Sequence, residues 1–184
     1  HHASGKTLRG VGATMEGINN NAVMYELLFE LPWREERFKK EEWIDQYIQA
    51  RYGTYNRQVE QAWQILAATI YNCPGNIVME GPSESVMCAR PALDIRRVSS
   101  WGSAKIYYNT DSVRMAAELM LSVSENFRGN ENFEYDLIEL VRQTFSDYSG
   151  DLQKQITDAF RSGDKDLFDR LSCEFLELIL AQDS

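Results

Sequence analysis

Histidine is almost missing from this 184-residue chain: there are two, side by side as His1-His2. A Ser-His-Asp triad or a histidine-built zinc site elsewhere is therefore excluded, and the pair itself is given no metal role. Cysteine is nearly as scarce. Cys73, Cys88 and Cys173 form no Cys-x-x-Cys pair, so neither a zinc ribbon nor thioredoxin chemistry is expected. No apolar run approaches the roughly 20 residues that cross a bilayer, so no membrane span is expected. Positive charge is in deficit: 28 acidic against 19 basic residues give a net charge of −9. That balance argues against DNA or RNA as a partner. There is no Asn-x-Ser/Thr sequon, no repeat of fixed period, and no basic-then-apolar leader at the start.

What remains is an ordinary globular composition, 43% hydrophobic and 26% charged, enough for a real core. Two nucleotide motifs begin and fail. Gly10-Val11-Gly12-Ala13-Thr14-Met15 has methionine where a dinucleotide fingerprint needs its third glycine, and Glu16 would sit where pyrophosphate must bind. Gly5-Lys6-Thr7 resembles the end of a phosphate loop, but no helical pattern follows it.

Along the chain, residues 8–18 read as one short strand and its exit turn. A helix follows, capped by Asn20 or Asn21, with Met24, Leu27, Leu28 and Leu31 at helical spacing and Pro32 at its end. The charge run 34–42 reads as a solvated connector and a domain boundary. A second helix carries Trp43, Ile44, Tyr47 and Ile48 on one face, with Gly53 as its C′ residue. A third carries Val59, Ala62, Trp63, Leu66 and Ile70 behind an Asn56 cap. Trp43 and Trp63 could be sugar-stacking platforms, but helical spacing beside aliphatic residues makes them core. Residues 72–108 hold three of the four prolines and read as a long irregular loop, with a short strand possible between Ile95 and Tyr108. Cys73 and Cys88 bracket part of it and could pair in an oxidising compartment, which would stabilise by about 3 kcal/mol. A fourth helix carries Val113, Ala117, Met120 and Leu121, capped by Asn109 or Thr110. A fifth carries Phe133, Leu137, Leu140, Val141, Thr144 and Tyr148 and could run on past Gly150 to Ala159. After a turn at Ser162-Gly163-Asp164, a sixth carries Leu167, Leu171, Phe175 and Leu178. Cys173 on it reads as a core thiol.

Glu16 is the candidate catalytic residue. A single acid at the end of a short apolar run, just before a polar turn and a helix, is where a parallel βα unit displays a reacting side chain. A solvated turn acid is the plainer alternative. The surrounding residues favour the first reading. Gly12-Ala13-Thr14-Met15-Glu16-Gly17-Ile18, followed by Asn21-Ala22-Val23-Met24-Tyr25-Glu26-Leu27, resembles the α-N-acetylglucosaminidases of glycoside hydrolase family 89. Glu30-Leu31-Pro32-Trp33-Arg34, Ala50-Arg51-Tyr52-Gly53, Ala62-Trp63, Tyr71-Asn72-Cys73, Arg90-Pro91, Tyr108-Asn109 and Tyr135-Asp136-Leu137 continue the likeness in order.

The resemblance implies a mainly α chain: a helical bundle or array preceded by one strand-turn-helix unit from the end of a (β/α)₈-like barrel. Residues 1–37 would be the terminal segment of that catalytic barrel, and 38–184 the first part of the all-helical C-terminal domain. It implies hydrolysis of terminal α-linked N-acetylglucosamine with retention, through two glutamates and no cofactor or metal. Glu16 matches the nucleophile. The acid/base glutamate belongs to an Asn-Glu pair on an earlier barrel strand that this sequence does not contain. The Asn130-Glu131 pair here reads as a helix cap instead. Met15 departs from the family, where proline often precedes the nucleophile. The implied partners are an N-acetylglucosamine-terminated glycan and the remainder of the parent enzyme, with the chain alone inactive. The missing sequon and the family's sorting lean toward a bacterial periplasmic or secreted parent. The rival reading is a helical protein- or glycan-binding module without chemistry.

Overall fold

The computed structural model describes residues 9–14, 21–74, 84–99 and 105–183. Six α-helices dominate: α1 (Ala22–Glu30), α2 (Lys40–Tyr52), α3 (Arg57–Ala68), α4 (Thr110–Leu121), α5 (Glu131–Ser162) and α6 (Lys165–Asp183). Among the described residues there is no strand. Residues 9–14, expected as strand, carry no ladder, because a strand is defined by a neighbour to bond with and none is present among the described residues. The strand expected between Ile95 and Tyr108 is likewise absent from 95–99 and 105–108. That stretch is irregular chain, and Val86–Cys88 earlier in the loop forms a single 3-10 turn.

The chain divides between Tyr47 and Ile48 into two compact units, the division falling within α2. In the first unit α1 is nearly apolar all round, and Val23 is its one buried residue. Leu31–Trp33 forms a 3-10 turn with Pro32 inside it. The helix thus stops two residues before Pro32, whose ring nitrogen has no hydrogen to continue the ladder. Glu30 then knots the exit: its carboxylate accepts from Trp43 Nε1 at 2.6 Å and from Arg34 Nε at 2.8 Å. The Arg34 guanidinium also lies 4.5 Å over the Phe38 ring.

In the second unit each helix packs on the next, α3 on α4, α4 on α5 and α5 on α6. The predicted core faces hold in most places. Val59, Ala62, Trp63 and Leu66 on α3 are buried, as are Val113, Ala117 and Met120 on α4. Of the expected caps in this unit, Asn56 accepts from the Gln58 and Val59 amides, and Asn109, rather than Thr110, accepts from Ser112. α5 runs unbroken through Gly150, whose backbone has open space around it. Gly163, at φ 73, ends α5 in the left-handed conformation that favours glycine. Asp164 N–H reaches back to Ala159 O, and the Asp164 carboxylate accepts from Leu167 N to start α6.

Some side chains depart from expectation. Leu121 and Tyr148 are exposed, and Met24, Leu28 and Leu31 are open rather than buried. Cys173 is not a core thiol; it is exposed on α6, midway between Leu171 and Phe175 of the stripe that packs on α5. Cys73 and Cys88 are exposed free thiols rather than a bridged pair.

Candidate active site

Glu16 lies outside the described residues, as do Met15 and Gly17–Asn20. The structure describes what brackets it. Gly12-Ala13-Thr14 approach from one side without regular structure. On the other, Asn21 caps α1 through its backbone, its carbonyl accepting from Met24 N at 3.1 Å. The Asn21 side chain makes no capping bond to the helix.

The matching blocks after α1 are scattered through the sequence, yet several converge in the second unit. Arg51 Nη2 donates to Asp136 Oδ1 at 2.8 Å. Tyr52 OH donates to Asp136 Oδ2 at 2.7 Å and accepts from Trp63 Nε1 at 3.0 Å. The Trp63 ring stacks on Tyr71, with centroids 6.2 Å apart. Arg51 and Asp136 are 11% and 13% exposed, so the pair is worth its desolvation cost only because these further bonds complete it. Desolvation by burial pushes the Tyr71 phenol well above its ordinary range, keeping it neutral. Asn130 and Asn132 finish the junction. Their side-chain amides donate to the carbonyls of Tyr52 and Arg51, the last acceptors of α2. Asn130 also accepts from Phe133 N and caps α5. The Asn130-Glu131 pair is thus a helix start, as its position implied.

A second polar cluster joins Tyr108, Gln143 and Asp147. Tyr108 OH and Gln143 Nε2 both donate to Asp147 Oδ1, at 2.8 and 2.9 Å. Asp147 is 4% exposed, and burial raises its carboxyl above the ordinary value, with the two hydrogen bonds pulling the other way. Sequence patterning missed this residue because it looked for apolar side chains. The register was available: Phe133, Leu140 and Asp147 recur every seven residues and all are buried. Arg90 and Pro91, also part of the likeness, are exposed.

Among the described residues no cluster of three or more histidine, cysteine or acidic side chains could hold a metal. No described helix is long and apolar enough to cross a membrane.

Comparison with known proteins gives a consistent result. The alpha-N-acetylglucosaminidase (NAGLU) C-terminal domain profile matches residues 43–184. The tim-barrel domain profile of the same enzymes matches residues 1–35. Human alpha-N-acetylglucosaminidase is 29% identical over 97% of this chain, which spans 24% of the human protein. Two solved structures of a Clostridium perfringens enzyme are similar at 31% identity and TM-score 0.83. Each covers 88% of this chain, which spans 18% of theirs. One is a family 89 glycoside hydrolase in complex with 2-acetamido-1,2-dideoxynojirmycin. The other carries two glutamate-to-glutamine changes and holds its substrate, GlcNAc-alpha-1,4-galactose. With its residues 43–184 matched by the C-terminal domain profile, this chain belongs to the alpha-N-acetylglucosaminidases, glycoside hydrolase family 89.

Proposed function

We propose that this sequence is the nucleophile-bearing end of the barrel and part of the helical domain of a retaining exo-glycosidase. Its substrate is a glycan ending in α-linked N-acetylglucosamine, and Glu16 is the nucleophile. The observation that carries the reading is the order of the two profile matches. The tim-barrel profile covers the segment containing Glu16, and the C-terminal domain profile follows it. A domain boundary near residues 37 and 38 is in keeping with the gap between them. A relative's substrate complex with two glutamates changed to glutamine accords with a two-carboxylate reaction.

The chemistry assigns Glu16 a definite place. An ionised carboxylate below the sugar ring attacks the anomeric carbon and forms a glycosyl-enzyme. A protonated partner, about 5–5.5 Å away across the bond, protonates the leaving oxygen and then activates water. That partner is absent from the sequence, so the chain by itself turns over no substrate and acts with the remainder of its parent. No cofactor takes part. The large apolar surface of α1 and the turn after it, with Met24, Leu28, Phe29, Leu31 and Trp33 all exposed, supports a partner made of further barrel. A parent secreted or held in a bacterial periplasm fits the missing sequon.

The test is Glu16→Ala in the full-length enzyme. Turnover should vanish for good and poor leaving groups alike, because no glycosyl-enzyme can form. Added azide should restore reaction as the β-glycosyl azide of inverted configuration, since the small anion attacks from the vacated side. Near-normal turnover by the variant would return Glu16 to a solvated turn. The rival reading, a non-catalytic helical module, is tested by the gene upstream: an unrelated domain directly before His1 would favour it.

A further inference from the structure

Beside the Asp147 cluster lies an open cleft of ≈ 830 Å³, within the size range of small-molecule sites. Its floor is the second half of α5, from Asp147 to Arg161. One wall is the segment from Val86 to Ile95, the other the residues from Lys105 to Asp111 that lead into α4. The first wall is fixed to the floor. Gln153 Nε2 donates to the Leu93 carbonyl at 3.2 Å and Thr157 Oγ1 to the same carbonyl at 2.7 Å. Ser85 and Ser149 hydroxyls meet at 3.4 Å.

Asp147 lines this cleft, and its carboxylate is half used. Oδ1 has two donors, whereas Oδ2 is buried with no hydrogen-bond partner. A buried acceptor left unmade is costly, and each such group in a native protein calls for an explanation. Oδ2 is sealed from solvent in this structure, so a ligand hydroxyl reaches it by a turn of the carboxylate about its terminal torsion, a broad, roughly two-fold rotor.

The surroundings select the ligand. A metal ion is disfavoured, since the described residues hold no cluster that could ligate one. A strongly charged ligand is disfavoured too. The rim carries both signs, with Asp111, Asp151 and Asp158 against Lys105, Lys154 and Arg161. Lys154 and Asp151 already pair at 3.0 Å. A hydroxyl both donates to carboxylates and accepts from cations, so a polyol satisfies a rim of mixed sign as no ion does. Tyr108 also lines the cleft, in the wall that leads into α4.

We propose that this cleft is a binding site for a neutral, hydroxyl-rich saccharide, one hydroxyl of which donates to Asp147 Oδ2. It goes beyond the hydrolase reading and does not depend on Glu16. The test is an amide-resolved NMR titration of the whole chain with GlcNAc-alpha-1,4-galactose, with glycerol as control. Saturable shifts are expected at residues 105–111 and 147–158, with none of comparable size from glycerol. Asp147→Asn places a donor where the acceptor is needed and should weaken binding about tenfold. In case that variant misfolds, the exposed-rim double variant D158N/R161A is made as well and should weaken binding severalfold. Glu16→Gln should leave the titration unchanged. Absent shifts, shifts matched by glycerol, unchanged affinity in both cleft variants, or loss of binding on Glu16→Gln would each overturn the proposal.

Discussion

The helices α1 and α5 present opposite solutions to the same problem. α1 is short and apolar on nearly every side, yet buries only Val23 among its residues. Its turn ends in Trp33, 77% exposed. α5 is 32 residues long and more polar, yet buries Phe133, Leu140, Leu152 and Ala159 and receives α4 and α6 along its length. Apolar content alone does not make a core; the helix must have neighbours that fit its faces. α5 finds them within its own unit. α1 has the composition of a helix whose neighbours lie among further barrel elements, which is what a catalytic barrel segment would present.

The largest effect that would test the self-sufficiency of the second unit is Asp136→Ala. It removes the carboxylate that accepts from the Arg51 guanidinium and the Tyr52 hydroxyl in a nearly dry junction. A loss of about 3–5 kcal/mol is expected, read as a lower urea midpoint. A loss below about 1 kcal/mol would show that the junction is ornamental. The contrast with α1 is sharpened by Leu28→Ala. In this chain Leu28 is exposed, so the change should stay within about 0.5 kcal/mol. In the full-length parent, with barrel packed on it, the same substitution should cost about 2–3 kcal/mol. Equal effects in the two settings would break the comparison.

Gly150→Ala acts in the other direction. The site is helix interior, and a Cβ there meets nothing within 4 Å. The substitution should stabilise α5 by about 1 kcal/mol, raising the midpoint of thermal unfolding.

The smallest effect is a pair of opposed pH responses, one in each unit. The Trp43 hydrogen bond, with Arg34, holds Glu30 below the ordinary glutamate value of 4.5. Its contribution is therefore present above that value and lost as pH falls through the lowered one. Burial raises Asp147 above the ordinary aspartate value of 3.8. Its contribution is present below that value and lost as pH rises through the raised one. Urea titrations across the acidic range should show Glu30→Gln flattening the first response and Asp147→Asn the second. A half-exposed Glu30 makes the first response slight. If both variants change the same limb of the curve, the assignment of signs fails.

Much of this architecture was legible in sequence. The face Trp43, Ile44, Tyr47 and Ile48 is buried as its spacing implied, and Gly53 takes a positive φ of 75 after α2. Asn56 and Asn109 cap as side-chain chemistry requires. The failures have physical causes. Leu28 and Leu31 lie on a good helical stripe, but a stripe says which residues share a face, not whether anything covers it. Asp147 was overlooked because a carboxylate at a core position is recognised only through its partners, Tyr108 and Gln143, and these come from different segments. Likewise Arg51 and Asp136 each matched the family, but nothing in either short block says that they meet. Glu16 remains an assignment by resemblance, since it lies outside the described residues.

The neighbour-to-neighbour packing of α4 on α5 and α5 on α6 has a kinetic consequence. α4, α5 and α6 can assemble from pieces already close along the chain, so little loop-closure entropy stands before those steps, whereas α3 meets α4 across the long loop between Ala68 and Thr110. Local pairing of the first kind belongs to the fast end of domain folding. The ties between the end of α2 and the start of α5 are the opposite case, Arg51 and Asp136 lying 85 positions apart. They close after the local helix pairs have formed. Conservative substitutions there should therefore accelerate unfolding and leave the folding rate almost unchanged.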